Sequence, residues 1–304
     1  MNQIEAFFSS QDIGFICSNK AAQKELTQKG IPAYDPISER DHNHFAYIGL
    51  IKNSEERAAF FENRPDDARL LSLPLHFFDN STEAVLYNLK QLFAIDFNQC
   101  LSDRDEWYKR LTENEKLIFG KDNFTLECIP HNPVCLDVID DSPLFPCTAS
   151  RLLEVGLEYQ TTDENRTFTI NGTLPIEGAV VSCLPCITHE QHEKGLKIAR
   201  RIAASQLTTC EIVNNELVSL NIDGDECCQQ VVALAGPSDG ELGPKPTEAK
   251  EFSIGLNKWV LDNIDYTINS PLNEGVEGIH VGFGDGHNGL HMDFLIPQAQ
   301  LISP

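Results

Sequence analysis

The chain has 304 residues, 41% hydrophobic and 23% charged, proportions of a folded globular protein rather than of a disordered, coiled-coil or collagen-like one. Its 46 acidic and 23 basic residues leave a net charge of −23 with no basic block, which disfavours nucleic acid and anionic membranes as partners. No apolar run approaches the roughly 18 to 20 residues that span a bilayer, and MNQIEAFFSSQDIGFICSNK lacks the basic start and apolar core of a secretory signal, so the cytoplasm is the expected compartment. There the ten cysteines read as reduced, mostly buried thiols.

The first half alternates strand and helix. GFICS (14–18), FAYIGLI (45–51) and ARLLSLPL (68–75) read as buried strands; AAQKELTQKG (21–30), SEERAAFFENR (54–64) and STEAVLYNLKQLFAI (81–95) read as helices, the last capped by Ser81 or Thr82. That alternation implies an α/β sheet with parallel pairing. A further helix is expected over 103–120, and no strand-to-helix turn carries a glycine-rich phosphate loop. The proline- and aspartate-rich segment 131–147 marks a boundary near residue 148, giving an N-terminal α/β domain (1–148) and a C-terminal domain (149–304).

The second half reads as mainly antiparallel β. LLEVGLEYQT, TFTING, GAVVSCL, CEIVNNELVSLNID, EFSIGL, GIHVGFG and LHMDFLI are separated by Asn- and Gly-containing turns, with one clear helix at 189–204. Two motifs only resemble metal sites. Cys183, Cys186, His189 and His192 recur every three residues, which on a helix spreads them over roughly 13 Å and on a strand alternates their faces. NIDGDE before Cys227 and Cys228 lacks the spaced ligands and terminal Glu of a calcium loop.

The stretch IHVGFGDGHNGLHMDF (279–294) is different, holding His280, His287, His291, Asp285 and Asp293. In a strand, residues two apart share a face, so His291 and Asp293 project together while Met292 and Phe294 pack inward. A hairpin through the Gly-rich turn returns His280 toward them. Two imidazoles and a carboxylate suffice for an open metal site, with non-haem iron(II) or catalytic zinc as the usual cases; a polar hairpin is the alternative.

These segments carry a resemblance. KEFSIGLNK (250–258), GIHVGFG (278–284) and NGLHMDFLI (288–296), with RTFTINGTLPIEGAVVS (166–182) before them, resemble in order the C-terminal half of the thermophilic metallo-aminopeptidases, the aminopeptidase T/S family. The resemblance implies an aminopeptidase-like fold and Glu251, His280, His291 and Asp293 as retained ligands. It also shows departures: Arg166 stands where the family has a metal-binding glutamate, the catalytic tyrosine is replaced by Gly284-Asp285-Gly286, and Glu274 and Glu277 are both out of register with the catalytic glutamate. A branch of the same fold, resembling 2,5-dihydroxypyridine 5,6-dioxygenase, holds one iron with two histidines and an aspartate.

The expectation is therefore one divalent metal on His280, His291 and Asp293, iron(II) ahead of zinc, manganese or cobalt, with a degenerate metal-free site as the remaining case. Glu251 and Glu277 are the expected catalytic or imidazole-fixing groups, and Arg166, Asp285 and His287 the substrate contacts. The expected function is a mononuclear oxygenase acting on a small aromatic or peptide-derived substrate. The alternatives are a peptide-binding protein without chemistry, as in a peptide-modification pathway, and a metallo-aminopeptidase. Homodimerisation is expected by analogy alone.

Overall fold

The computed structural model describes residues 3–37, 44–62, 68–131, 147–158, 167–183, 187–236, 245–286 and 289–303. Its first layer is a five-stranded, wholly parallel sheet in the order Ala33–Tyr34, Ile13–Cys17, Ala46–Leu50, Arg69–Leu73, Cys147–Thr148. Ile13–Cys17 and Ala46–Leu50 are buried at every position, as strands covered on both faces by crossover helices must be. Asn19 and Ser81 start the helices Lys20–Gln28 and Thr82–Ala94, their side chains accepting from Ala21, Ala22 and Ala84 amides that have no partner within the helix.

The second half forms the central antiparallel sheet and five of the seven strands of an outer one. The central one has the order Gly178–Ser182, His291–Pro297, Gly278–Phe283, Ala249–Gly255, Glu154–Glu158. The outer one has seven strands, with Thr208–Val213 and Glu216–Ile222 joined by a two-residue turn in which Asn214 (φ 52°) and Asn215 (φ 70°) are both left-handed. Asn215 also pins the neighbouring strand, accepting from Ile170 N at 2.6 Å and donating to Phe168 O at 3.0 Å. The mixed α/β and antiparallel architecture is thus the one expected.

One expected helix ends early. The helix Phe97–Glu113 stops at Asn114, and Leu117–Lys121 is instead a strand, paired with Phe124–Pro130 in a hairpin of the outer sheet. Tertiary packing overrides the helical pattern: Leu117 and Phe119 are buried, and Phe119 lies 5.5 Å from Phe252 of the central sheet. Segment 131–147, where the boundary was expected, falls almost wholly outside the described residues.

The two antiparallel sheets pack apolar face to apolar face. Phe252, Ile254, Ile279, Val281, Phe283, Met292 and Phe294 are all buried there, each large side chain contributing about 1.5–3 kcal/mol of burial free energy. Pleating sends the alternate residues to the opposite face, which meets the C-terminal ends of the parallel strands. Two bonds clamp that junction: Tyr87 hydroxyl donates to Asn273 Oδ1 at 2.6 Å, and Ser270 hydroxyl to Asn88 Oδ1 at 2.8 Å.

Candidate metal centre

Strand register assembles the site. Gly282 is opposite Asp293 on one side and Glu251 on the other, and His280 is opposite Ser253, which is opposite Gly156. Period-two pleating therefore places Glu154, Gly156, Glu251, Ser253, His280, Gly282, His291 and Asp293 on one face of the central sheet.

The polar groups converge tightly. His280 Nε2 lies 3.2 Å from Glu251 Oε1 and 3.5 Å from Glu154 Oε2. His291 Nε2 lies 3.4 Å from Glu251 Oε2 and 2.9 Å from Asp293 Oδ1. Two ligand triads result, Glu154–Glu251–His280 and Glu251–His291–Asp293, each with ligand atoms within 4.8 Å of one another. Glu251 belongs to both and offers a different oxygen to each histidine. His280 lies against Glu251 Oε1 and His291 against Glu251 Oε2, so the two histidines fall in different triads, while His291 and Asp293 of the expected set stay together.

Several details fit a cation. Glu154 Oε2 and His280 Nδ1 are buried with no hydrogen-bond partner among the described residues, although such groups ordinarily find partners. His291 Nδ1 lies 2.7 Å from the Gly284 carbonyl, which can only accept, so that nitrogen donates, and Nε2 faces the carboxylates and, once deprotonated, could ligate a metal. Ser253 hydroxyl donates to Glu251 Oε1 at 2.6 Å and orients the shared carboxylate. A Cβ on Gly282 would sit 2.7 Å from Asp293 Oδ1 and 2.8 Å from His291 Nε2, so the absence of a side chain keeps this space open. Glu154, Glu251 and His291 side chains retain 17%, 18% and 17% exposure, enough for an ion to enter. Mixed imidazole and carboxylate donors suit zinc, manganese, cobalt or iron(II).

Burial and crowding shape the protonation states. Burial raises Glu154 to about 8, helped by the Glu251 and Asp293 charges and opposed by His280. Glu274 is pushed well above the usual carboxylate range by burial and by the charges of Asp293 and Glu154. Burial also acts upward on Glu251, but the hydrogen bonds and charges of His280 and His291 outweigh it and hold it well below. Burial acts downward on His280, yet the Glu251 bond and the surrounding carboxylates lift it to about 9. His291 is raised well above its ordinary value, Asp293 and Glu251 overcoming burial.

The expected residues thus fare differently. Glu251, His280, His291 and Asp293 meet. Glu277 does not: its side chain is exposed and lines a separate hollow with Asp103, Trp107 and Lys121. Glu274, three positions earlier in the helix Pro271–Glu274, is the acidic residue that reaches the cluster. Glu154 went unrecognised, although in EVGLE the buried Val155 and Leu157 alternate with Glu154 and Gly156, which marks an acidic group on a half-polar strand. Asp285 lines a cleft beside His291. Arg166 and His287 lie outside the described residues.

The solved structure of wild-type AmpT from Thermus thermophilus aligns with a TM-score of 0.45 at 8% identity, covering 94% of this chain and 87% of that one. At that score the overlap is too loose to carry the fold assignment, which stands on the sheets themselves. A search among curated proteins finds no match. The sequence profile of the crocagin biosynthetic protein CgnE/B matches residues 15–303, spanning both halves, and the chain belongs to that family.

Proposed function

We propose that the protein is a metal-dependent hydrolase of a biosynthetic pathway, acting on an amide bond of a peptide-derived substrate at a carboxylate-bridged pair of metal positions. One observation carries this reading: Glu251 supplies one oxygen to each of two adjacent triads. Glu154, His280 and Glu251 would hold one ion, and Glu251, His291 and Asp293 the other. Ions held by these residues would supply Lewis-acid chemistry toward a carbonyl and a water. An iron oxygenase of the facial type instead groups two histidines and one carboxylate on a single ion.

The chain's own residues supply the rest. Ser253 and the Gly284 carbonyl orient Glu251 and His291. Glu274, held well above the usual carboxylate range by burial and by the charges of Asp293 and Glu154, can keep a proton near neutrality and pass it to a departing amine. The family's description as biosynthetic supports a place in a biosynthetic pathway.

Elemental analysis and zinc or manganese titration should give two ions per chain, and Glu251→Ala should lose both. The metal-loaded protein should cleave peptide amides and the chelated protein should not. A single ion that survives Glu251→Ala would sink the two-metal reading. A metal-free protein that nonetheless binds peptide would leave the non-catalytic alternative.

A further inference from the structure

The Glu154–Glu251–His280 triad depends on an edge strand. Glu154–Glu158 is the outermost strand of the central sheet and pairs with Ala249–Gly255, whereas Glu251, His280, His291 and Asp293 all lie on strands flanked on both sides. Glu154 stands at its first position, opposite Gly255 and just after the short helix Ala149–Leu152. Leu256 N donates to the Leu153 carbonyl at 2.8 Å, so that carbonyl turns toward the neighbouring strand. The Glu154 carbonyl, one residue on, therefore turns to the sheet edge.

A cation from the first half meets that edge. Arg104 belongs to the helix Phe97–Glu113, whose buried positions Phe97, Cys100, Arg104 and Leu111 form one stripe. On this otherwise apolar stripe it is only 9% exposed, and a charge so buried is costly unless it is well bonded. Its Nη1 donates to the Arg151 carbonyl and, at 2.7 Å, to the Glu154 carbonyl. With Glu154, Glu251 and Ser253 it also lines a hollow of about 120 Å³.

These two bonds hold the main chain and leave the ligand oxygen. Glu154 Oε2 has no hydrogen-bond partner among the described residues and lies 3.5 Å from His280 Nε2. Fixing the peptide at the start of the strand fixes where this carboxylate enters the cluster. A planar guanidinium reaches both carbonyls in set directions, which a flexible ammonium reproduces only in part. The strands of Glu251, His291 and Asp293 are instead held in register by neighbours on both sides.

We infer that Arg104 is the positioning residue for Glu154, and that it makes the two metal positions unequal. The Glu154–Glu251–His280 position is set by a helix of the first half, and the Glu251–His291–Asp293 position by the strands of the central sheet. The consequence for metal binding rests on the two-metal reading above; the placement of Glu154 does not. Arg104 acts through Glu154 and is not itself a ligand.

Competition for zinc against a chromophoric chelator, on the full chain, reads the two positions. Arg104→Met should weaken one ion by roughly 10- to 100-fold, as removal of a ligand's outer partner does, and leave the other unchanged. Glu154→Gln should weaken the same ion, and adding Arg104→Met to it should bring little further loss. Arg104→Lys should keep part of the affinity, and the retained second ion shows that each variant folds. Two undiminished ions in Arg104→Met, or both weakened alike, would overturn the inference. Hydrogen exchange in chelator needs no metal: amides of Glu154–Glu158 should exchange faster in Arg104→Met, while those of His291–Pro297 keep their protection. Unchanged exchange at Glu154–Glu158 would overturn the inference however many ions bind. Fewer than two ions on the unaltered chain would sink the two-metal reading instead, and the exchange measurement still decides whether Arg104 places Glu154.

Discussion

Replacing Gly282 with alanine would put a methyl group into the space the cluster encloses. Its Cβ would lie 2.7 Å from Asp293 Oδ1, 2.7 Å from His291 Cε1 and 2.8 Å from His291 Nε2, against the 3.4 Å at which ordinary contact begins. The ligand atoms must therefore retreat by about 0.6–0.7 Å, several times the roughly 0.2 Å tolerance of a metal–ligand bond. Neither can yield easily. Asp293 is completely buried, and His291 is tethered through Nδ1 to the Gly284 carbonyl, whose own residue sits at φ 82°. Overpacking costs about 1–3 kcal/mol, offset by about 0.5–1 kcal/mol because alanine loses less backbone entropy than glycine in a strand, so a net loss of about 1–2 kcal/mol is expected. Metal affinity should drop by more than about tenfold, since both displaced ligands belong to one triad. Urea denaturation in chelator measures the first quantity, and competition for zinc against a chromophoric chelator measures the second. Undiminished zinc affinity in Gly282→Ala would refute the placement of a metal beside His291 and Asp293.

Metal binding should release protons, because His280, held to about 9, must lose one before it can ligate; apparent affinity should rise with pH up to about 9, and proton uptake by buffers of different ionisation enthalpy reads the number released. In chelator the same raised histidine favours the folded state fully below its ordinary 6.5, and that contribution disappears as pH rises through about 9, so apo stability should fall across this interval and do so less in His280→Gln. Asn215→Ala removes two buried backbone contacts and forces alanine into a left-handed conformation, which should cost about 2–4 kcal/mol by chemical denaturation. Burial pushes the thiols of Cys17 to about 11 and Cys100 to about 12, so among the described cysteines the partly exposed Cys183 should react first with a thiol reagent, as peptide mapping would show.

Local pattern carried far in this chain. The helix at 189–204 lies where its periodicity placed it, with Thr188 and Gln191 forming the capping box that fixes its start. The strands GFICS, EFSIGL and LHMDFLI formed because each is a short run with its turn residues at hand. The pairing of His291 with Asp293 follows from the two-residue period of the pleat, and the hairpin returned His280 to the same face. Where local pattern misled, as at Leu117–Lys121, a distant partner decided: Phe252 and the strand Phe124–Pro130 turned an apparent helix end into a strand.

What the sequence by itself determined is therefore the parallel layer of the first strands, the antiparallel character of the later ones, and one polar strand face bearing histidine and carboxylate. Only the tertiary structure decided which carboxylates meet that face. Glu154 reaches His280 because Glu154–Glu158 pairs with Ala249–Gly255, and Glu277 is excluded because its side chain turns out toward solvent while Glu274 points in. The division of the ligands into two triads around Glu251 likewise depends on strand order. Pleating is a property of neighbouring residues and can be read along the chain, whereas register and layer contact are set by packing among residues far apart in it.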